Sequence, residues 1–281
     1  MHLKSVTTFF SLGKKNLNKV INMCVTLKNV LKIYDIDDHN KLHVIQDINI
    51  EVAKNEFISI VGPSGCGKST LLKLIAGLEE VTCGSIEICG KIITGPGSDR
   101  GMVFQSYTLF PWLTVAENIG FALKKSKLSK KSKKERILKY IAQIGLKEFK
   151  DAYPNQLSGG MRQRVAIARA MALKPKVLLM DEPFGALDAQ TRMFMQELLL
   201  KIWDLNRTTV LFVTHDVEEA ILLSDRIYVM TSSPGRIKKV LNVNLDRPRS
   251  IFNAQMHDVT NKLESKILKI LYDENPMIHG G

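Results

Sequence analysis

FISIVGPSGCGKSTLLKLIAG, residues 57–77, joins a five-residue apolar run to a helical pattern through a turn that holds three glycines, a lysine and two consecutive hydroxyls. The β-branched run 57–61 reads as a buried strand, and the leucine spacing that follows reads as a helix beginning near Ser69. Between them Gly62, Gly67, Lys68 and Ser69 satisfy the G-x-x-x-x-G-K-[ST] pattern in the strand–turn–helix context that the pattern requires. A glycine-rich structural turn is the plainer reading, but it does not call for a lysine and hydroxyls at these positions. Glycine torsions aim successive N–H groups inward, and the following helix adds its positive N-terminal end, so the segment Gly62, Pro63, Ser64, Gly65, Cys66, Gly67, Lys68, Ser69 and Thr70 is the expected phosphate cradle. Lys68 is placed to reach the β and γ phosphates of a nucleotide, and the Ser69 hydroxyl to ligate Mg²⁺. A thiol at the start of a helix tends toward a low pKa, so Cys66 is expected to alkylate faster than a buried cysteine.

Two further strand ends answer the cradle. VLLMDE, 177–182, carries Asp181 and Glu182 to the carboxyl edge of a buried strand, where ligands of open α/β folds bind. Asp181 would hold Mg²⁺ directly or through a water, leaving Glu182 to polarise an attacking water as general base; a solvated acidic turn is the alternative. VLFVTH, 210–215, brings His215 out at the same edge as a γ-phosphate sensor, in a position where a lone histidine is otherwise structural.

Strand-type segments at 25–33, 44–52, 57–61 and 85–93 make a β-rich first portion, and helical periodicity runs from 106 to 173. Strand then alternates with helix through 176–181, 189–205, 208–214, 216–223 and 226–231, which argues for a parallel sheet with crossover helices. SSPGRI turns into a final strand at 237–245, and an amphipathic helix at about 254–271 closes the chain. The expected organisation is a basic extension over 1–22, one α/β domain over 23–250 with the helical part 106–173 inserted, and a helix and tail over 251–281. Met23 is an expected alternative start, with residues 1–22 disordered or not made.

The chain has 281 residues, 45 % hydrophobic, with a formal charge of +12. Residues 1–34 hold six lysines and no acid, and residues 124–139 hold nine basic residues against Glu135 alone, so these stretches carry +14 and the rest −2. A charge confined to two runs does not predict nucleic-acid binding; either run is a solvated face or, for 124–139, a contact with anionic lipid headgroups. No apolar run reaches the length of a membrane span. Four cysteines without a CxxC pair read as reduced thiols of a cytosolic protein, Cys83 and Cys89 being possible hairpin neighbours.

LSGGMRQR, 157–164, makes the reading more particular: it resembles the signature motif of ATP-binding cassette (ABC) proteins, and the family's other marks follow in order over about residues 25–245. The resemblance implies that Tyr34 stacks on adenine, Gln105 of MVFQ is the Q-loop residue and a metal contact, Asp188 lies in the D-loop, and His215 is the switch histidine. It also implies a P-loop fold with a RecA-like parallel-sheet core, an antiparallel β subdomain and an inserted helical subdomain. Ser158, Gly159 and Gly160 open a helix and so offer a second anion site. In the resembling family this site and the cradle belong to different copies, so ATP would be sandwiched between Lys68 of one and Ser158, Gly159, Gly160 and Asp188 of the other.

SYTLFPWLTVAENIGFAL, DEPFGALDAQTR and FVTHDVEEAILLSDRIYVMTSSPGRI resemble the cassettes of nitrate, sulfonate and taurine importers; Met161, where glutamine is more frequent, is common in that branch. The chain runs only to Gly281 beyond Leu245, so the regulatory β-domain of sugar-importer cassettes is not expected. The implied partners are a second copy, a transmembrane permease and indirectly a solute-binding protein, with the chain peripheral at the cytoplasmic face of the cell membrane; Tyr107, Phe110, Pro111 and Trp112 form an apolar loop cluster that reads as the anchor for the permease, with core packing as the alternative. A soluble cassette ATPase of DNA repair or translation typically carries two cassettes or a long coiled-coil insertion, neither of which is present. A small-molecule kinase would not need LSGGMRQR.

Overall fold

The computed structural model describes residues 23–37, 39–250 and 257–273. The expectations for 1–22 and for Met23 as a start therefore fall largely outside the described residues. A four-stranded antiparallel sheet has the order β2-β1-β4-β5, formed by β1 (Met23–Asp35), β2 (Lys41–Ala53), β4 (Cys83–Ile88) and β5 (Lys91–Ile92). A six-stranded sheet has the order β10-β9-β3-β8-β7-β6, formed by β3 (Phe57–Val61), β6 (Arg100–Val103), β7 (Val177–Asp181), β8 (Thr209–Val213), β9 (Arg226–Met230) and β10 (Ile237–Asn242). All its pairings are parallel except β10 on β9. The helices are α1 (Lys68–Ala76), α2 (Val115–Ala122), α3 (Lys130–Gln143), α4 (Gly159–Ala172), α5 (Ala189–Asn206), α6 (Val217–Leu223) and α7 (His257–Asp273).

Every residue of β3, β7 and β8 is buried, as the largely apolar strands of a sheet covered on both faces must be, Ser59, Asp181 and Thr209 included. Alternation splits them between two cores. Phe57, Leu178, Met180, Val210 and Phe212 join Trp203 of α5 and the helices α2–α4. Ile58, Ile60, Val177, Leu179, Leu211 and Val213 pack against α1 and the antiparallel sheet. Phe57 anchors the first cluster, 5.8 Å edge-on from Trp203 and 5.9 Å from Phe212.

Two details differ from the sequence reading. The expected strand 85–93 breaks at Cys89 and Gly90, both at positive φ, and β5 turns back on β4. Cys89 consequently faces Cys24 of β1, not Cys83: its N–H donates to the Cys24 carbonyl at 2.7 Å. The closing helix begins at His257, and 251–256 lie outside the described residues.

Candidate active site

Strand register builds the site. Ile60 is level with Val213, and Val213 with Asp181; Met180 is level with Val103. The residues that follow these strands, Gly62, Glu182, His215 and Gln105, therefore leave the sheet at one carboxyl edge. Among the described residues no backbone carbonyl accepts from the amides of Gly65, Gly67, Lys68, Ser69 or Thr70; the Lys68 amide meets the Cys66 thiol, so four donors remain to be satisfied where the chain enters α1. Gly67 is at φ 95°, and a Cβ there would lie 3.0 Å from the Val44 side chain, so only glycine fits. The Lys68 ammonium is buried, 6 % exposed, and donates to the carbonyls of Gly62 and Pro63 at 2.9 Å each.

The Ser69 hydroxyl donates to Asp181 Oδ1 at 2.9 Å. Burial raises the Asp181 pKa, Glu182 adds to the rise, and Ser69, Lys73 and Lys68 oppose it, so the buried carboxylate carries a cost that a cation would relieve. Glu182 is anchored by its N–H to the Val213 carbonyl at 2.9 Å and sits in the left-handed region at φ 41°. Its Oε2 is 3.0 Å from His215 Nδ1. Gln105 is exposed just beyond β6 and makes no side-chain hydrogen bond among the described residues.

Tyr34 ends β1 half-buried, and its hydroxyl donates to the Glu79 carboxylate, with Lys32 Nζ 4.6 Å over the ring. Burial and Glu79 push the hydroxyl pKa up and Thr70 draws it down, which ties the ring to the start of α1. Glu79 also pairs with Lys73 at 3.6 Å. Sequence reasoning missed Glu79, and no local spacing marks it.

Cys66 requires a correction. Its side chain is completely buried, and burial raises the thiol pKa although Lys68 opposes the rise. A Cβ at Gly62 would sit 2.9 Å from Cys66 Sγ, and one at Gly235 2.1 Å from the Cys66 carbonyl, so the thiol is packed inward beneath the loop, 3.9 Å from Lys68 Nζ. The helix end does not control this thiol; desolvation does. At pH 7–8 a raised pKa means less thiolate, so iodoacetamide is expected to label exposed Cys83 well before Cys66, as mass spectrometry of timed samples can check. Labelling of Cys66 first would contradict this packing.

Ser158, Gly159 and Gly160 lie apart from the cradle. Ser158 caps α4, accepting from Met161 N at 3.3 Å. A Cβ on Gly159 would meet Tyr107 and Leu187, and one on Gly160 the Thr191 methyl at 2.6 Å; nothing of the 62–70 loop is within reach. Asp188 caps α5 through Thr191 N at 2.9 Å, and that backbone hydrogen bond lowers its pKa. The 158–160 turn and Asp188 thus form a second, exposed-edged group beside each other.

Arg169 of α4 reaches the other expected surface. It donates to the Thr108 carbonyl at 2.8 Å and hydroxyl at 2.9 Å and lies over the Phe110 ring. Phe110 packs 4.4 Å from Phe121 and 5.6 Å from Trp112, and buried Asn118 bonds both its N–H and its carbonyl. Phe110 is therefore half-buried scaffold, while Trp112 projects at 69 % exposure.

The ABC transporter family model matches residues 45–185. An uncharacterized ABC transporter ATP-binding protein of Methanocaldococcus jannaschii is 50 % identical over 88 % of this chain and 91 % of its own length. A nitrate import ATP-binding protein of Synechocystis is 51 % identical, covering 75 % and 82 %. An aliphatic sulfonates import ATP-binding protein of Bacillus cereus is 46 % identical, covering 86 % and 94 %. Among solved structures, a dimeric ATP-binding cassette in a post-hydrolysis state bound to ADP and Pi is 34 % identical with a TM-score of 0.69, over 79 % of this chain and all of that one.

Proposed function

The chain belongs to the ABC transporter family as the ATP-binding subunit of an importer, an ATPase coupled to transport, and from that premise we propose that two copies clasp ATP between them beneath a permease at the cytoplasmic face of a membrane. The observation that carries this reading is the separation just described. One copy gathers Lys68, Ser69, Asp181, Glu182 and His215 at one sheet edge, while Ser158 caps its own helix and the nearest neighbours of Gly159 and Gly160 are Tyr107, Leu187 and Thr191. Two half-sites that do not meet within a chain are completed by a second chain, and a dimeric neighbour bound to ADP and Pi supports that arrangement.

In this reading the free amides of the 62–70 loop and the Lys68 ammonium bind the phosphates, and Tyr34 receives the adenine. The donor set fits Mg²⁺: a hydroxyl and a carboxylate already paired, the carboxylate destabilised by burial, with Gln105 on the same edge. When bound, Mg²⁺ would supply charge neutralisation on the phosphate oxygens. Glu182 takes the proton of the attacking water, and His215 holds the Glu182 carboxylate in place. Ser158 and Gly159–Gly160 of the second copy present the N-terminus of α4 to the phosphates.

Asp181→Asn separates binding from stability. The fold holds the proton on Asp181 more tightly than the unfolded chain does, so at neutral pH the ionised form costs stability. Asn removes that cost and is expected to raise the thermal midpoint of the ligand-free protein at pH 7, with the gain shrinking as the pH falls into the carboxylate range. Mg²⁺-dependent hydrolysis is expected to fall by at least ~100-fold. Calorimetry and phosphate release measure the two effects; a lowered midpoint would contradict the buried-charge account.

Among the described residues no helix is long and apolar enough to cross a membrane, so transport requires permease subunits. Trp112 is their anchor, held out by the Phe110–Asn118 scaffold. Trp112→Ala is expected to weaken permease co-purification by at least ~10-fold while leaving ATP binding intact; unchanged association would exclude this contact. The transported solute is a small oxyanion such as nitrate, a sulfonate or taurine, delivered by a solute-binding protein. The test is ATPase activity of the reconstituted complex: stimulation by one of these anions supports the reading, and stimulation only by an unrelated solute refutes it.

A further inference from the structure

At the opposite end of the six-stranded sheet, among residues such as Lys176 and Thr208 that precede β7 and β8, lies a cavity of about 750 Å³. It is lined by Lys54, Lys139, Lys174 and Lys176 and by two thiols, Cys24 and Cys89. Cys24 is buried and Cys89 half-buried. Their Sγ atoms are 3.0 Å apart although 65 residues separate them in sequence. The backbone fixes the pair: Val25 faces Ile88 across the ladder, and the Cys89 N–H bonds the Cys24 carbonyl one step beyond. The sulfurs need to approach by only about 1 Å to reach bonding distance.

We propose that Cys24 and Cys89 are an oxidative modification site, closing to a reversible disulfide when a peroxide enters this cavity. Peroxide first oxidises the more accessible Cys89 sulfur to a sulfenic acid, its O–O bond breaking with release of one water. The Cys24 sulfur then attacks that sulfur; the S–O bond breaks, the hydroxide takes the Cys24 proton and leaves as a second water, and the S–S bond forms. Two thiols give up two electrons and two protons in all, reducing one peroxide to two waters. Burial and the neighbouring Cys89 push the Cys24 pKa up to about 12, so Cys24 is not the sulfur that peroxide oxidises first and still carries its proton when it meets the sulfenic acid. None of the four lysines has a carboxylate partner among the described residues, so the cavity that peroxide enters is basic. Neither remaining cysteine lies opposite this pair: Cys83, exposed, is level with Leu31 on the ladder, and Cys66 is enclosed beneath the phosphate loop. The reduced thiols read from the sequence are the resting form of this site, and the inference does not depend on the nucleotide chemistry.

The test treats the full-length protein with hydrogen peroxide at neutral pH, blocks remaining thiols with iodoacetamide and maps peptides without reduction. The expected product is a Cys24–Cys89 linked peptide lacking two hydrogens, converted by dithiothreitol back to two alkylatable cysteines and absent from Cys89→Ser. Recovery of both residues alkylated, over-oxidation of Cys89 without a link, or a link from either residue to Cys83 overturns the proposal. The wild-type map decides the matter even if the variant folds poorly.

Discussion

Glu182→Gln is expected to lower ATP hydrolysis by at least ~100-fold while changing nucleotide affinity by no more than about threefold. The substitution is isosteric and leaves the Glu182 N–H on the Val213 carbonyl, so the turn is retained. What it removes is the capacity of Oε2, now 3.0 Å from His215 Nδ1, to accept a proton from water. Lys68, Ser69 and the loop amides, which bind phosphate in this account, touch none of the changed atoms. Phosphate release under saturating MgATP, with a parallel binding titration, checks both halves. Turnover at the parent rate would remove Glu182 as the base.

Lys68→Ala is expected to act on binding instead, weakening nucleotide affinity on the order of 100-fold, the loss of a buried charge-assisted contact. The ammonium bridges the Gly62 and Pro63 carbonyls at 2.9 Å, so its removal also leaves the Gly62 carbonyl without a donor and the Pro63 carbonyl with only the Cys66 N–H at 3.4 Å, which loosens the turn. A binding titration shows the affinity loss, and a thermal melt of the ligand-free protein reports the loosening separately. Unchanged affinity would mean that the loop amides alone bind the phosphates. Together the two variants separate the step that holds ATP from the step that cleaves it.

The fold was legible where the sequence pattern and the packing have the same cause. FISIV, VLLMD and TVLFV are apolar but for Ser59, Asp181 and Thr209 because both sheet faces are covered, and their parallel register then carries Gly62, Glu182 and His215 to one edge without further information. Contacts set by residues distant in sequence were not legible. The direction of Cys66 depends on Met230 and Gly235, which close over the loop from the β9–β10 turn. Glu79 under Tyr34, Arg169 on Thr108 and Cys89 beside Cys24 each join segments with no shared periodicity. The aromatic stretch 107–112 read as one cluster, yet Asn118 and Arg169 turn Phe110 inward and leave Trp112 in solvent, a division of roles that only packing reveals.

The most direct measurement is the mass, in solution, of the Glu182→Gln protein with MgATP at high concentration, alone and with the permease restored, together with the nucleotide it retains. Two chains held together by two trapped ATP molecules is the predicted result, reverting to single chains when nucleotide is withdrawn. A single chain in every condition, with no nucleotide occluded even beside the permease, would contradict the shared site.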